Sequence, residues 1–110
     1  MKKELELYLE AIKKDYLRSS APLEGEIQTQ VRDKMVYNFF NGLRIEEGSV
    51  YLKVISGSGV HSFIVKEDGP KFKKGDILKA ASWRAPAKNQ ARGNIFGQYK
   101  VLWTGAEYLR

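Results

Sequence analysis

The hydrophobic period of this chain changes once. Up to Gly42 apolar residues recur every three or four positions, and from Leu43 onward they alternate. The first spacing belongs to helices and the second to strands. The reading that follows is α+β in one domain over 1–110, with a helical part over 2–41 and a β part over 43–110.

Leu5, Leu9, Ile12 and Tyr16 form one apolar stripe and predict a helix over 2–18, with Glu10 and Lys14 as a favourable i,i+4 pair. Ser19, Ser20, Ala21 and Pro22 are expected to stop it, because a residue before proline avoids helical geometry. A second helix is expected over 24–40. Glu24 and Glu26 suit its start, Ile27, Val31, Met35 and Phe39 repeat every four residues, and Val36 and Phe40 widen the face. On that wider face the second helix should be the more buried of the two. Asn41-Gly42 is a C-terminal stop that tolerates left-handed geometry.

In the β part, Leu43-Arg44-Ile45 fits either a short strand or a connection, and Glu46-Glu47-Gly48 a turn. Residues 49–55 read as a strand with Val50, Leu52 and Val54 on one face and Tyr51, Lys53 and Ile55 on the other. Ser56-Gly57-Ser58-Gly59 turns the chain into a partner strand over 60–66. A phosphate loop would need a helix after those glycines, and the β-rich run VHSFIV follows instead. Further strands are expected at 77–81, 92–96 and 99–104, with a loop at 82–91 around Pro86 and a last edge strand through Tyr108. Two helices packed on an antiparallel sheet of about five strands, curled or partly closed into a barrel, is the expected architecture. The run Phe72-Lys73-Lys74-Gly75-Asp76-Ile77-Leu78 is similar to the lead-in to a buried strand in many SH3-like and PUA-like small barrels. That resemblance covers seven residues and implies nothing about function. Asp76 should bond turn amides.

Charge is as unevenly distributed as period. Residues 71–96 hold seven basic residues and one acid, so they carry the whole net charge of +6, and the other 84 residues balance. A polyanion is the partner such a block favours. Phosphate recognition uses Arg and Lys beside neutral donors and stacking aromatics. The candidate nucleic-acid-binding residues are therefore Lys71, Lys73, Lys74, Lys79, Trp83, Arg84, Lys88, Asn89 and Arg92, with single strands preferred and little sequence specificity. Trp83, next to Pro86, reads either as a core residue or as a platform for an unpaired base. Lys73, Lys74, Arg84, Lys88 and Arg92 should face solvent, and Phe72, Ile77, Ile95 and Phe96 should be buried. Other readings of the block are a solvated charged face and a contact for an acidic protein.

Two further classes remain open. A protein-interaction or inhibitor module would use the N-terminal helix, or Trp103 and Tyr108. A metal-independent ribonuclease-like phosphodiesterase would need His61, the one histidine, paired with Glu67, Asp68 or Asp76, and Arg84 or Arg92 at the phosphoryl group. No nucleophile, phosphate-loop or metalloprotease motif accompanies His61, so it is not expected to be catalytic. With no cysteine, thiolate metal sites, disulfides and cysteine nucleophiles are excluded. No metal or cofactor is expected. No apolar run approaches membrane-spanning length, and Glu4, Glu6 and Glu10 interrupt what would be a signal-peptide core. The expected location is cytoplasmic.

Overall fold

The computed structural model describes residues 1–19 and 26–106, and side chains of the second helix from residue 33 on. Expectations for Ser20, Ala21, Pro22, Glu24 and Tyr108, and for the side chains of Glu26, Ile27 and Val31, lie outside the described residues. Helix α1 is Lys2–Ser19 and helix α2 is Glu26–Gly42. Strands β1 (Leu43–Glu47), β2 (Tyr51–Ser56), β3 (Gly59–Val65) and β4 (Ile77–Lys79) form an antiparallel sheet in that order. β5 (Val101–Leu102) and β6 (Gly105–Ala106) make a separate two-stranded ribbon. The α+β class is as expected. The described strands make an open four-stranded sheet and no closed barrel.

Residues 92–96 are not a ladder strand. They still run along the outer edge of β4, where Ile77 N–H donates to Gly93 O (2.9 Å), Arg92 N–H to Ile77 O (2.8 Å) and Ile95 N–H to Gly75 O (2.9 Å). The bonds a fifth strand would have supplied come from irregular backbone, which covers an edge that would otherwise be open to pairing.

α1 takes the sheet. Tyr8 and Ile12 are buried on it and join Leu52, Val54, Ile64, Ile77, Ile95 and Ala106 in the main core, and Tyr16 is buried against Phe39 and Trp103. Leu5 and Leu9, the upper half of the sequence stripe, are only half-buried. α2, expected to be the more buried helix, buries none of its described side chains (residues 33–42), and Met35 is 53 % exposed. Two amphipathic helices compete for one sheet face, and α2, among its described residues, packs at the side through aromatic rings. Phe39 stacks on Tyr16 with ring centroids 4.1 Å apart, and Trp103 meets both rings edge-on. Asp15 fixes the ribbon turn by accepting from Trp103 N–H at 2.8 Å and from Arg18. Burial acts to raise the Asp15 pKa, but these donors outweigh it and hold the carboxyl below its ordinary range.

α2 ends at Gly42 without left-handed geometry, and the chain passes straight into β1. Positive φ appears elsewhere, notably at Gly93 (+132°), where an added Cβ would lie 2.6 Å from Tyr99 Cβ and 2.9 Å from its Cα. Gly57 also has positive φ (+62°), but nothing lies within 4 Å of its Cβ position. Gly57→Ala should therefore cost about 1 kcal/mol of backbone strain. Gly93→Ala should cost about 3 kcal/mol or more, since strain and a clash with main chain add. Urea unfolding of the two variants beside the wild type checks this, and equal losses would contradict it.

Candidate functional site

The sheet has two unlike faces. One lies under α1. On the other, Phe63, Val65 and Leu78 are buried beneath Phe72, Ala80 and Ala91, which come from the long connections after β3 and β4. Those connections reach only part of the way across. Around Glu46, Tyr51 and Lys53, which stand there by strand alternation, the second face stays partly open, while Ile55 further along β2 is buried.

A tight turn borders this opening. Ala81 and Ser82 N–H both donate to Ala85 O (3.1 Å each), and Ser82 Oγ accepts from Arg84 N–H (3.3 Å) and Ala85 N–H (3.2 Å). Trp83 and Arg84 occupy the tip of the turn, and Pro86 is buried at its base. Trp83 is 45 % exposed, so it is not the core residue that one reading of the sequence made it. Lys53 Nζ lies 4.7 Å from the Trp83 ring centroid and 6.0 Å from that of Phe63, within cation–π range. Tyr51 meets Phe63 edge-on at 5.8 Å.

Two adjoining pockets result. The first, about 340 Å³, has walls that include Glu46, Tyr51, Lys53, Phe63 and Arg84. The second, about 260 Å³, shares Val50 and Tyr51 with it and is bounded by Phe72, Lys71, Lys88 and Glu67. Lys71 Nζ donates to Lys88 O and stands 5.6 Å from the Phe72 ring centroid.

Of the nine residues singled out from the sequence, Lys71, Trp83, Arg84 and Lys88 gather here. Asn89 and Arg92 are engaged with each other, Arg92 Nη2 donating to Asn89 Oδ1 at 2.9 Å. Arg92 is half-buried, so it does not face solvent as expected. Lys73 and Lys74 are exposed. Their amides are bound by Asp76 (2.9 Å) and Asp68 (2.8 Å), and Lys74 lines a different cavity, beside α1. Lys79 pairs with Ser62 across β3–β4 and belongs to the α1 face. Ile77 and Ile95 are buried as expected, whereas Phe72 is half-buried and Phe96 is 48 % exposed. The pattern at 92–96 predicts a strand ending at Phe96, and that strand does not form. Tyr51, Lys53, Phe63 and Glu46 were missed as site residues. The alternation of Tyr51, Lys53 and Phe63 was legible, but not which of the two faces would stay uncovered; Glu46 was expected in a turn and lies in β1 instead.

His61 lies on the other side. It is 3 % exposed and sits at a β-bulge, since Val54 pairs with Ser62 and Ile55 with Val60. Neighbours on a regular strand point to opposite faces, and the bulge brings His61 and Ser62 together. His61 Nε2 is 2.7 Å from Leu102 O, His61 Nδ1 is 2.8 Å from Ser62 Oγ, and Ser62 Oγ is 2.7 Å from Tyr8 Oη. A carbonyl only accepts, so Nε2 carries the proton. In the neutral ring Nδ1 then accepts from Ser62, which in turn accepts from Tyr8. Burial lowers the His61 pKa, with Lys79 adding to that and the bond to Leu102 opposing it; burial also pushes the Tyr8 phenol well up. The ring is thus neutral at pH 7 and on the face opposite Arg84. Among the described residues no three His, Asp or Glu side chains could hold a metal ion together, and no helix is long and apolar enough to cross a membrane.

Fold and site together define an α+β protein with one sheet face under a helix and the other partly open, lined by aromatic rings and cations. The chain belongs to a family of unknown function (DUF7717), whose model matches residues 1–106. No curated protein and no solved structure matches it.

The buried histidine sets a pH dependence. Its folded pKa is below the unfolded value of about 6.5, so between the two the unfolded chain binds more protons and stability rises with pH. The wild type should lose stability as pH falls below about 6.5. His61→Gln should be less stable at pH 7.5 and lose little more at pH 5.5. Urea unfolding at both pH values tests this, and a mutant with the wild-type slope would disprove it.

Proposed function

We propose that the protein binds single-stranded nucleic acid on the open face of its sheet. The observation that carries this reading is the exposed Trp83–Arg84 turn, poised beside Tyr51, Lys53 and Phe63. Exposed aromatic rings offer stacking platforms to unpaired bases, and a base in a duplex has no free face to give them. Arg84, Lys53, Lys71 and Lys88 border the same two pockets and suit phosphates. Stacking and phosphate contacts both tolerate any sequence, so most of the bound strand is held without selection. Lys73 and Lys74 add long-range attraction rather than contact.

Labelled single-stranded and duplex oligonucleotides, titrated at two salt concentrations, test the reading. The single strand should bind tighter, and affinity should fall steeply with salt. Trp83→Ala should weaken binding about tenfold, the loss of roughly one stacked base. Arg84→Glu should weaken it and flatten the salt dependence. Both variants should melt within about 0.5 kcal/mol of the wild type, because the altered side chains are exposed. No binding at low salt would reject the proposal and turn attention to an acidic protein surface as partner.

A further inference from the structure

The first of the two pockets contains a group that phosphate binding does not explain. Glu46 stands on the open face among cations, directly opposite Lys53 in the β1–β2 register. A carboxylate there repels a phosphate chain. The obvious account is that it neutralises Lys53, yet Lys53 Nζ lies over the Trp83 ring. Lys66–Glu47, one residue further along β1, does close as an ion pair at 3.1 Å. Among the described residues Glu46 has no hydrogen-bond or ion-pair partner. It is an open acceptor on the wall of a pocket of about 340 Å³ that Tyr51 and Phe63 also line.

Directly opposed side chains on neighbouring strands start about 5 Å apart. The pocket wall therefore carries a two-oxygen acceptor at Glu46, with Lys53 and Arg84 as cationic donors on the same lining. The Watson–Crick edges of the bases differ in the order they offer. Guanine shows an acceptor (O6) followed by two donors (N1–H and N2–H₂). Uracil and thymine show acceptor, donor, acceptor. Cytosine shows donor, acceptor, acceptor, and adenine a donor and an acceptor. Only guanine fits a donor followed by a double acceptor, with Lys53 or Arg84 at O6 and the Glu46 carboxylate across N1–H and N2–H₂.

We infer that this pocket is a guanine-reading subsite, in which Glu46 selects one base of an otherwise unselected single strand. The inference rests on the nucleic-acid reading above and adds a base preference at one position. Glu46 acts by accepting from the base edge, Tyr51 by stacking, and Lys53 and Arg84 by donating to O6 and to the adjoining phosphate.

The test is fluorescence anisotropy with labelled seven-nucleotide oligouridine strands carrying guanine, hypoxanthine, adenine, cytosine or uracil at the centre. Hypoxanthine lacks only the 2-amino group of guanine. The guanine strand should bind about fivefold or more tighter than the hypoxanthine strand, the lower end for a lost specific base contact. Glu46→Gln should shrink that difference below about twofold while the salt-dependent binding of all strands persists or strengthens, since a repelling charge is gone. Equal binding of guanine and hypoxanthine strands by the wild type, or a guanine preference that survives in Glu46→Gln, would overturn the subsite. No binding of any strand would overturn the nucleic-acid reading itself, and the subsite with it. Unlabelled guanosine monophosphate serves as a competitor. Weak competition supports a strand-bound base, while competition as strong as that of the guanine strand would support the guanine assignment and overturn the strand.

Discussion

Everything else in the structure depends on the seating of α1 against one face of the sheet. Tyr8 and Ile12 are fully buried there against Leu52, Val54, Ile64 and Ile77. An antiparallel sheet needs cover on one face only, and one helix supplies it here. α2 is left to the flank, and the opposite face is left to loops. Because those loops reach Phe63, Val65 and Leu78 but not the whole of β1 and β2, aromatic and cationic side chains remain in reach of solvent on a rigid floor. The candidate site follows from an incomplete second layer and not from a specialised motif.

Tyr8 shows why polar and apolar terms cannot be separated in this core. A buried phenol needs a partner, because an unsatisfied buried hydroxyl costs about 1–3 kcal/mol. Ser62 provides it, and Ser62 Oγ is bonded in turn to His61, which the bulge holds beside it. The hydrogen-bonded run then ends on Leu102 O, in the ribbon. Helix, sheet and ribbon are thus connected by three directional bonds inside an apolar cluster, which fixes how they meet more narrowly than hydrophobic contact alone does.

The class of fold was legible in the change of period, and β2, β3 and β4 in alternation and glycine turns, whereas the residues of β1 fit either a strand or a connection, and those at its end a turn. What failed has a common cause. Periodicity says that an element has an apolar side but not what covers it. Met35 and Phe39 formed as good a stripe as Ile12 and Tyr16, yet only one helix can occupy the sheet. Phe96 was placed by assuming a strand at 92–96, where the chain makes ladder-like bonds without ladder geometry. The basic stretch is contiguous in sequence but not in space. β4 runs through its middle, and alternation sends Lys79 to the α1 face while Arg84 and Lys88 stay on the other. Tyr51 and Lys53 were visible as a face of a strand, but their part in the site depends on where distant loops stop.

The bulge at His61 bears also on how the β2–β3 hairpin counts its residues. Residues 62–65 take their frame from the core, whereas Gly59 and Val60 take theirs from the turn, and His61 is the slack between the two frames. An empty bulge could slide along the strand and absorb a slip of one position. Here the extra residue is anchored at both ring nitrogens, so sliding would break the bond to Ser62 and the bond to Leu102 at once. The slack is knotted in place, and the hairpin keeps a single frame despite its irregular step.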